Sequence, residues 1–368
     1  MKSKSLRLFG YVRGAAALLV AFVVALVLIF LSTDEPLVAL RYMLLGPAAS
    51  WSKICRVLAY MIPITFTGLG TCIMFSANQF NLAGEGCISA GGFVGALVAI
   101  YCPMPTVLHQ IVCILAGAVI GGLIMLIPGF LKTKWGVSEM VVSLMLNYII
   151  LDVTMQFLTQ NFADKSQGAT MTFPYKSTAI IPKIFEGEQV SYGIFIAVAM
   201  AVLCWFFLYR TRWGYAIRMV GINKEFSQYS GIKVGAIVIL CQVVGGILAG
   251  MGGVVTQLGY FQQYRWTALT GYGWDGITLA ILAANNPIFI PVAAFFVAYL
   301  QYGCELMNTW TTVPVEMMDL ISVVIFLFFA ADQFLAGFRQ KLVVRETKKE
   351  LAEKAVLLQN RKGGQENV

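Results

Sequence analysis

Thr211-Arg-Trp-Gly-Tyr-Ala-Ile-Arg-Met-Val-Gly-Ile-Asn-Lys-Glu-Phe-Ser-Gln-Tyr-Ser-Gly-Ile-Lys-Val234 is a basic, patterned connector between two long apolar runs, 192–209 and 234–258. Its basic residues place it on the cytoplasmic side of a membrane, where the Lys and Arg of short loops collect. Ala216, Ile217, Val220 and Phe226 alternate with polar residues at helical intervals, and Gly214, Gly221 and Gly231 punctuate the run. That pattern fits a short amphipathic helix lying across the foot of a membrane domain, with one face offered to a soluble partner.

Composition outside this segment agrees. Of 368 residues, 59% are hydrophobic and 12% charged, with mean hydropathy +0.77. Soluble domains carry about 25% charged residues, so the chain reads as an all-α polytopic membrane protein. No hydrophilic stretch is long enough to fold as a separate domain. The net charge of +8 follows from topology and needs no nucleic acid. Eight scattered cysteines form no C-x-x-C pair, and His109 is the single histidine. No metal site is expected, and the thiols read as small buried hydrophobes.

Apolar runs near 14–31, 57–76, 84–101, 107–130, 138–159, 192–209, 234–258, 276–285, 288–306 and 318–335 predict about ten transmembrane segments. The run 276–285 is too short to cross alone, so it reads as a half-helix or part of a broken one. The first run follows Lys2, Lys4, Arg7 and Arg13 and is read as an uncleaved first helix. With both termini cytoplasmic, nineteen basic residues fall inside and seven outside. The expected organisation is a membrane domain over 1–340, with an external loop at 160–191 and the cytoplasmic loop at 210–234. A charged cytoplasmic tail, 341–368, would follow it and could touch anionic lipid.

Two segments break apolar sequence with polar groups. Phe75-Ser-Ala-Asn-Gln-Phe-Asn-Leu-Ala-Gly-Glu-Gly86 carries Asn78, Gln79, Asn81 and Glu85; irregular polar backbone at membrane depth must line a cavity or be buried in protein. Glu85 either touches solute or sits at the membrane boundary, helped by a helix N-terminus. Thr270-Gly-Tyr-Gly-Trp-Asp-Gly276 leads into the half-helix, and Asp275 either caps it or faces a central cavity. Asn147 in the fifth span glues helices together or meets a polar solute; Asp152 and Glu305 are open in the same way. Asn78, Gln79, Asn81, Glu85, Asn147 and Asp275 are the candidate pathway residues. The aromatic stretch 259–275 is an interfacial belt, a docking surface or the outer mouth of a pathway. Gly91-x-x-x-Gly95, Gly117-x-x-x-Gly121 and Gly246-x-x-x-Gly250 predict close helix contacts.

No Gly-x-x-x-x-Gly-Lys-[Ser/Thr] loop occurs, and no nucleophile elbow or chain of membrane carboxylates. Transport without an ATP site of its own is what remains. The chain resembles a permease subunit of an ABC importer, in the family serving branched-chain amino acids, simple sugars and nucleosides. The resemblance rests on Phe80-Asn-Leu-Ala-Gly-Glu-Gly86, on Gly214-Tyr-Ala-Ile-Arg-Met-Val-Gly-Ile-Asn223 with Tyr229-Ser-Gly-Ile-Lys-Val234, and on Gly271-Tyr-Gly-Trp-Asp-Gly-Ile277 with Asn286-Pro287. Val137-Ser-Glu-Met-Val-Val-Ser-Leu-Met-Leu-Asn-Tyr148 and the long outer loop are most similar to the larger nucleoside-type permeases. Cys87 and Lys224 depart from the family pattern, which usually has Gln and Pro there.

The resemblance implies that the basic loop holds a coupling helix near Asn223–Ser230, with Arg218, Gly221, Asn223, Glu225, Phe226 and Gly231 as docking residues. It further implies an ATP-binding partner with tandem nucleotide domains, a second and shorter permease, and an external substrate-binding lipoprotein. ATP would be used by the partners, no cofactor would be bound by this chain, and the complex would sit in a bacterial plasma membrane. A simple-sugar importer is the rival within this class. An ion-coupled secondary transporter is the rival outside it.

Overall fold

The computed structural model describes residues 35–165, 168 and 170–314, together with Val27, Phe30, Thr33, Leu320 and Val323. The chain divides into two units, Met1–Ser32 with Asp319–Val368 and, separately, Thr33–Met318; the architecture below belongs to the second. The runs 14–31 and 318–335 and the basic tail therefore lie outside the described residues, apart from the isolated positions just named.

In chain order the helices are α1 (Pro36–Leu45), α2 (Trp51–Ser76), α3 (Gly84–Tyr101), α4 (Thr106–Trp135) and α5 (Glu139–Phe157, extended by a π turn to Phe162). They continue as α6 (Gly193–Arg210), α7 (Arg212–Ile222), α8 (Lys224–Tyr229), α9 (Val234–Tyr260), α10 (Tyr272–Leu282) and α11 (Ile290–Trp310). Among the described residues no strand forms, only two isolated bridges in the 163–192 loop. Among the described residues seven helices are long and apolar enough to cross a membrane: α2, α3, α4, α5, α6, α9 and α11 with its leading 3-10 turn. They answer seven of the apolar runs read from sequence. Helix α10 has 11 residues, about 16 Å at 1.5 Å per residue, against a hydrocarbon core of about 30 Å. It is the expected half-helix. Helix α1 was not expected, because ten residues fall below crossing length and the stretch read as an outer loop; Ala39 and Met43 bury against α11 while Leu37 and Leu45 stay exposed.

Helix α9 is the axis of the bundle, packed against α2, α3 and α4 at once. Its glycines make this possible. Gly246 and Gly250 meet Gly121 and Gly117 of α4, Gly250 also meets Gly91 of α3, and Gly245 meets Gly70 of α2. A Cβ at Gly91 would lie 2.6 Å from the Gly250 Cα, and one at Gly70 2.7 Å from the Gly245 carbonyl oxygen. Lipid offers no hydrophobic force between apolar helices, so such backbone approach replaces it with dispersion contact. The small-residue motifs thus join three helices to one. The outward faces of α4, α5 and α6 carry exposed Leu, Ile, Val, Met and Phe, as a lipid-facing surface does.

One end of the bundle is basic. Thr133 near the end of α4 touches Gly235 at the start of α9, and Gly221 of α7 backs on the last carbonyls of α2. The two basic connectors, 131–137 and 210–233, therefore share that end.

At the opposite end the 163–192 loop is not a free external loop. Its amides of Thr172, Tyr175 and Ile181 donate to Tyr264, Gln262 and Leu258 carbonyls at 3.1, 2.9 and 3.0 Å. Tyr175 donates to Gln257 Oε1 at 2.9 Å, and its burial raises the phenol pKa well above the ordinary value, so it stays a donor. The loop straps down the segment after α9. This corrects the aromatic-belt reading for two of its members: Tyr264 is wholly buried with its hydroxyl 3.0 Å from Ser89 Oγ, and Trp266 is buried beside it. Trp274 alone of the tryptophans there is exposed.

Candidate functional site

The first broken segment begins where α2 ends. Asn78 turns the chain in the left-handed region (φ 54°) and is exposed; asparagine tolerates that conformation better than most residues. Gln79 is buried and folds its amide back on the carbonyls of Ala77 and Asn78, at 3.0 and 3.1 Å. From Phe80 to Gly86 the chain then runs along α5. Glu139, Ser143 and Asn147 are four residues apart and so form one stripe. Glu139 Oε1 accepts from Phe80 N (3.3 Å), Ser143 Oγ from Leu82 N (3.0 Å), and Asn147 Oδ1 from Gly86 N (2.9 Å). Asn147 Nδ2 donates to the Leu82 carbonyl at 2.9 Å. The stripe supplies the partners that an irregular main chain lacks at membrane depth. Lys132 pairs with Glu139 at the foot of the stripe. Asn81 accepts from Ala83 N at 2.8 Å and donates to Gln242 of α9 at 3.1 Å, closing the segment against the axis.

Glu85 reaches further. It is 1% exposed; its Oε1 accepts from Gly273 N at 2.7 Å, and its Oε2 from Thr270 N at 3.1 Å and Thr270 Oγ1 at 3.2 Å. Thr67 of α2 donates to the Tyr272 carbonyl at 2.7 Å beside it. An anion placed on the free N–H groups of a helix start is favoured by their geometry and by the helix dipole. Glu85 is therefore the cap of α10, supplied from about 190 residues earlier in the chain. Gly273 is required at this join, because a Cβ would lie 2.5 Å from Glu85 N. The two broken segments, separate in sequence, are one structure. Asp275, half-buried, sits in the first turn of α10, and its N–H donates to the Gly271 carbonyl at 3.1 Å.

A second polar group stands nearer the strapped end. Tyr60 of α2 donates to Glu305 Oε2 of α11 at 2.8 Å. The Tyr60 ring lies 6.0 Å from that of Tyr302 and 6.4 Å from that of Tyr260, and the Arg56 guanidinium stands 5.7 Å over Tyr302. Sequence reading left Glu305 open, placed Tyr260 in the aromatic stretch and Arg56 among the outer basic residues, and passed over Tyr60 and Tyr302. The available signal was spacing: Arg56 with Tyr60 at i, i+4 and Tyr302 with Glu305 at i, i+3 put polar pairs on single faces of apolar helices. Asp152, the other open carboxylate, is exposed on α5. An apolar crevice of about 470 Å³ between α3, α4 and α5 offers Thr154 as its sole polar side chain.

At the basic end the expected single helix is two. Thr211 caps α7 by accepting from Gly214 N at 3.1 Å, and Asn223 caps α8 by accepting from Phe226 N at 2.9 Å. Ile217 and Val220 bury α7 against the bundle, and Arg218 lies over Tyr209 at 4.8 Å. Gly221 presses on the end of α2 with no room for a Cβ, and Gly231 ends the turn with φ +82°. Beyond this pinned base Ile222, Phe226 and Tyr229 are exposed at 79%, 56% and 92%, and Glu225 is exposed with them. The result is an apolar tip fixed rigidly to α2.

Residues 53–330 match the family described as branched-chain amino acid transport system / permease component. The chain belongs to this family. A permease component of this kind is a multi-pass membrane protein, in keeping with the seven apolar helices. Similar members include the guanosine ABC transporter permease protein NupP of Bacillus subtilis, 28% identical over 81% of this chain and 88% of that one. The nucleoside ABC transporter permease protein NupB of Lactococcus lactis is 27% identical over 87% of this chain and 90% of its own length. A glucose ABC transporter permease protein of Haloferax volcanii is 26% identical over 83% of each chain.

Proposed function

We propose that this permease is the larger of two different permease chains in an ATP-driven nucleoside importer of a bacterial plasma membrane. In this reading the seven long helices, the broken crossing that contains α10, and the apolar runs 14–31 and 318–335 make ten crossings with both termini cytoplasmic, and the basic end faces the cytoplasm. Tandem ATP-binding domains of a separate subunit grip α8 through Glu225 and Phe226, between its cap Asn223 and Gly231, while Arg218 and Gly221 hold the coupling loop to the bundle. An external lipoprotein delivers solute to the strapped end, the chain itself holds no cofactor, and ATP is spent by the partner. The nucleoside assignment is supported by the guanosine and nucleoside permeases that align over most of this chain.

The observation that carries the drive mechanism is the exposed Ile222–Phe226–Tyr229 tip standing on Gly221, which abuts the last carbonyls of α2. A partner that moves such a tip moves α2 with it, and α2 carries the contacts to α10, α11 and α9. Coupling of that kind needs a partner with two states that hold the tip differently. Replacing Glu225 and Phe226 by alanine should cut recovery of the ATP-binding subunit with the permease and abolish uptake, at unchanged permease level in the membrane. Unchanged association and uptake overturn the assignment. A sugar cargo is the second reading, favoured by the aligned glucose permease; uptake of labelled guanosine against labelled glucose by the whole transporter separates the two.

A further inference from the structure

We propose that Arg56, Tyr60, Tyr260, Tyr272, Tyr302 and Glu305 form a solute-binding station on the transport route, built to hold a nucleoside by its base and its ribose diol. The inference rests on the nucleoside reading and locates where that cargo is held.

Depth and exposure come first. Tyr60 lies nine residues into α2, about 13 Å along its axis, and Glu305 five residues before the end of α11, about 8 Å. Both are half-buried, as are Arg56, Tyr260 and Tyr272. A carboxylate partly open within an apolar span is costly against hydrocarbon, so Glu305, with Arg56 just before the apolar run of α2 beside it, is best placed toward water, a partner chain or a solute. The outward surface of α4, α5 and α6, by contrast, is mostly apolar, with Asp152 and Gln156 of α5 as exposed polar positions. The group also lies where the chain is broken: Tyr260 is the last residue of α9 and Tyr272 the first of α10, with the irregular 261–271 segment between them. Broken helices at the middle of a membrane domain are where transport sites form.

Chemistry then narrows the ligand. The Tyr60 ring is within 6.4 Å of Tyr260 and 6.0 Å of Tyr302, tilted by 33° and 40°, so their faces diverge instead of stacking closed. Tyr302 is buried beneath Arg56, so it is the partly open Tyr60 and Tyr260 rings that offer a flat heterocycle a face to lie on. Glu305 accepts one hydrogen bond from Tyr60. An ionised carboxylate has about four lone-pair positions, so it retains capacity for the two hydroxyl donors of a cis-diol. Arg56 is held over Tyr302 by its ring and supplies donors in a planar fork, suited to ring nitrogens or carbonyls of a base.

The complete transporter, with its ATP-binding and partner permease subunits, tests this in cells lacking other nucleoside uptake. Glu305→Gln and Tyr260→Leu should each raise the KM for labelled guanosine at least tenfold, while basal ATP hydrolysis and subunit recovery stay within twofold of the parent. Tyr60→Phe, which keeps the ring and removes one hydroxyl, should raise KM by about threefold. Photolabelling with 8-azidoguanosine should tag peptides holding Tyr60, Tyr260 or Tyr302. Parental guanosine uptake with unchanged KM in all three variants, or label confined to other helices, overturns the station. A parent transporter that carries no nucleoside overturns the cargo assignment and the station together, and that failure is visible before any variant is made.

Discussion

Two polar groups interrupt the apolar bundle, and they are built on opposite rules. Around Glu85 most polar atoms meet a protein partner: the carboxylate takes three donors from Thr270 and Gly273, and Asn81 and Asn147 each donate and accept once, while Gln79 Oε1 and Gln242 Nε2 are left without one. Around Glu305 the carboxylate, its arginine neighbour and three of its tyrosines are half-open. A buried polar network with its bonds made is a structural joint. A polar group left partly open at membrane depth has capacity for something outside the chain. The difference separates glue from candidate solute contact on grounds of bonding, where residue type and apolar context are the same for both.

Removing the joint should unfold the protein, and removing the open group should not. The largest effect is expected for Glu85→Ala, which strands the buried N–H of Gly273 and the part-buried N–H of Thr270; at about 1–3 kcal/mol for a buried orphaned donor and less for the other, the thermal midpoint of the purified permease should fall steeply. Gly250→Val comes next, because the added side chain meets the Gly117 and Gly121 backbone; about 3 kcal/mol of overpacking should appear as loss of folded protein in the membrane. Asn147→Leu, which leaves Gly86 N and the Leu82 carbonyl without partners, should destabilise by about 2 kcal/mol. Ser143→Ala, which leaves Leu82 N without its acceptor and drops a local bond to the Met140 carbonyl, should cost about 1 kcal/mol in the same measurement. Glu305→Gln should barely shift the midpoint, by under about 0.5 kcal/mol, since the amide oxygen still accepts from Tyr60. A midpoint for Glu305→Gln as low as that for Glu85→Ala would erase the distinction.

Much of the fold was readable without coordinates. Seven runs of apolar residues became seven long helices, the ten-residue run 276–285 became the short α10, and the three Gly-x-x-x-Gly motifs ended at helix contacts. Length and small-residue spacing are local properties, so the chain displays them directly. Helix α1 escaped because it is short, and the buried positions of Tyr264 and Trp266 escaped because an aromatic-polar stretch looks the same in an interface and under a strap. The candidate site was half visible. Asn81, Glu85, Asn147 and Asp275 stood out as polar residues in apolar surroundings, yet nothing in the sequence links Glu85 to Gly273 or Tyr60 to Glu305. Those pairs are 188 and 245 positions apart.

By itself the sequence determined that the chain lives in a membrane, roughly where it crosses, which connectors are basic, and to which permease family its motifs run. Hydrophobicity and charge settle those matters residue by residue, against lipid and water, with no reference to neighbours in space. Only the tertiary structure decided which intramembrane polar groups are bonded within the protein and which stay partly open. Hydrogen bonds depend on direction and on partners brought together from distant segments, and it is their completion at Glu85 and their openness at Glu305 that tell one carboxylate from the other.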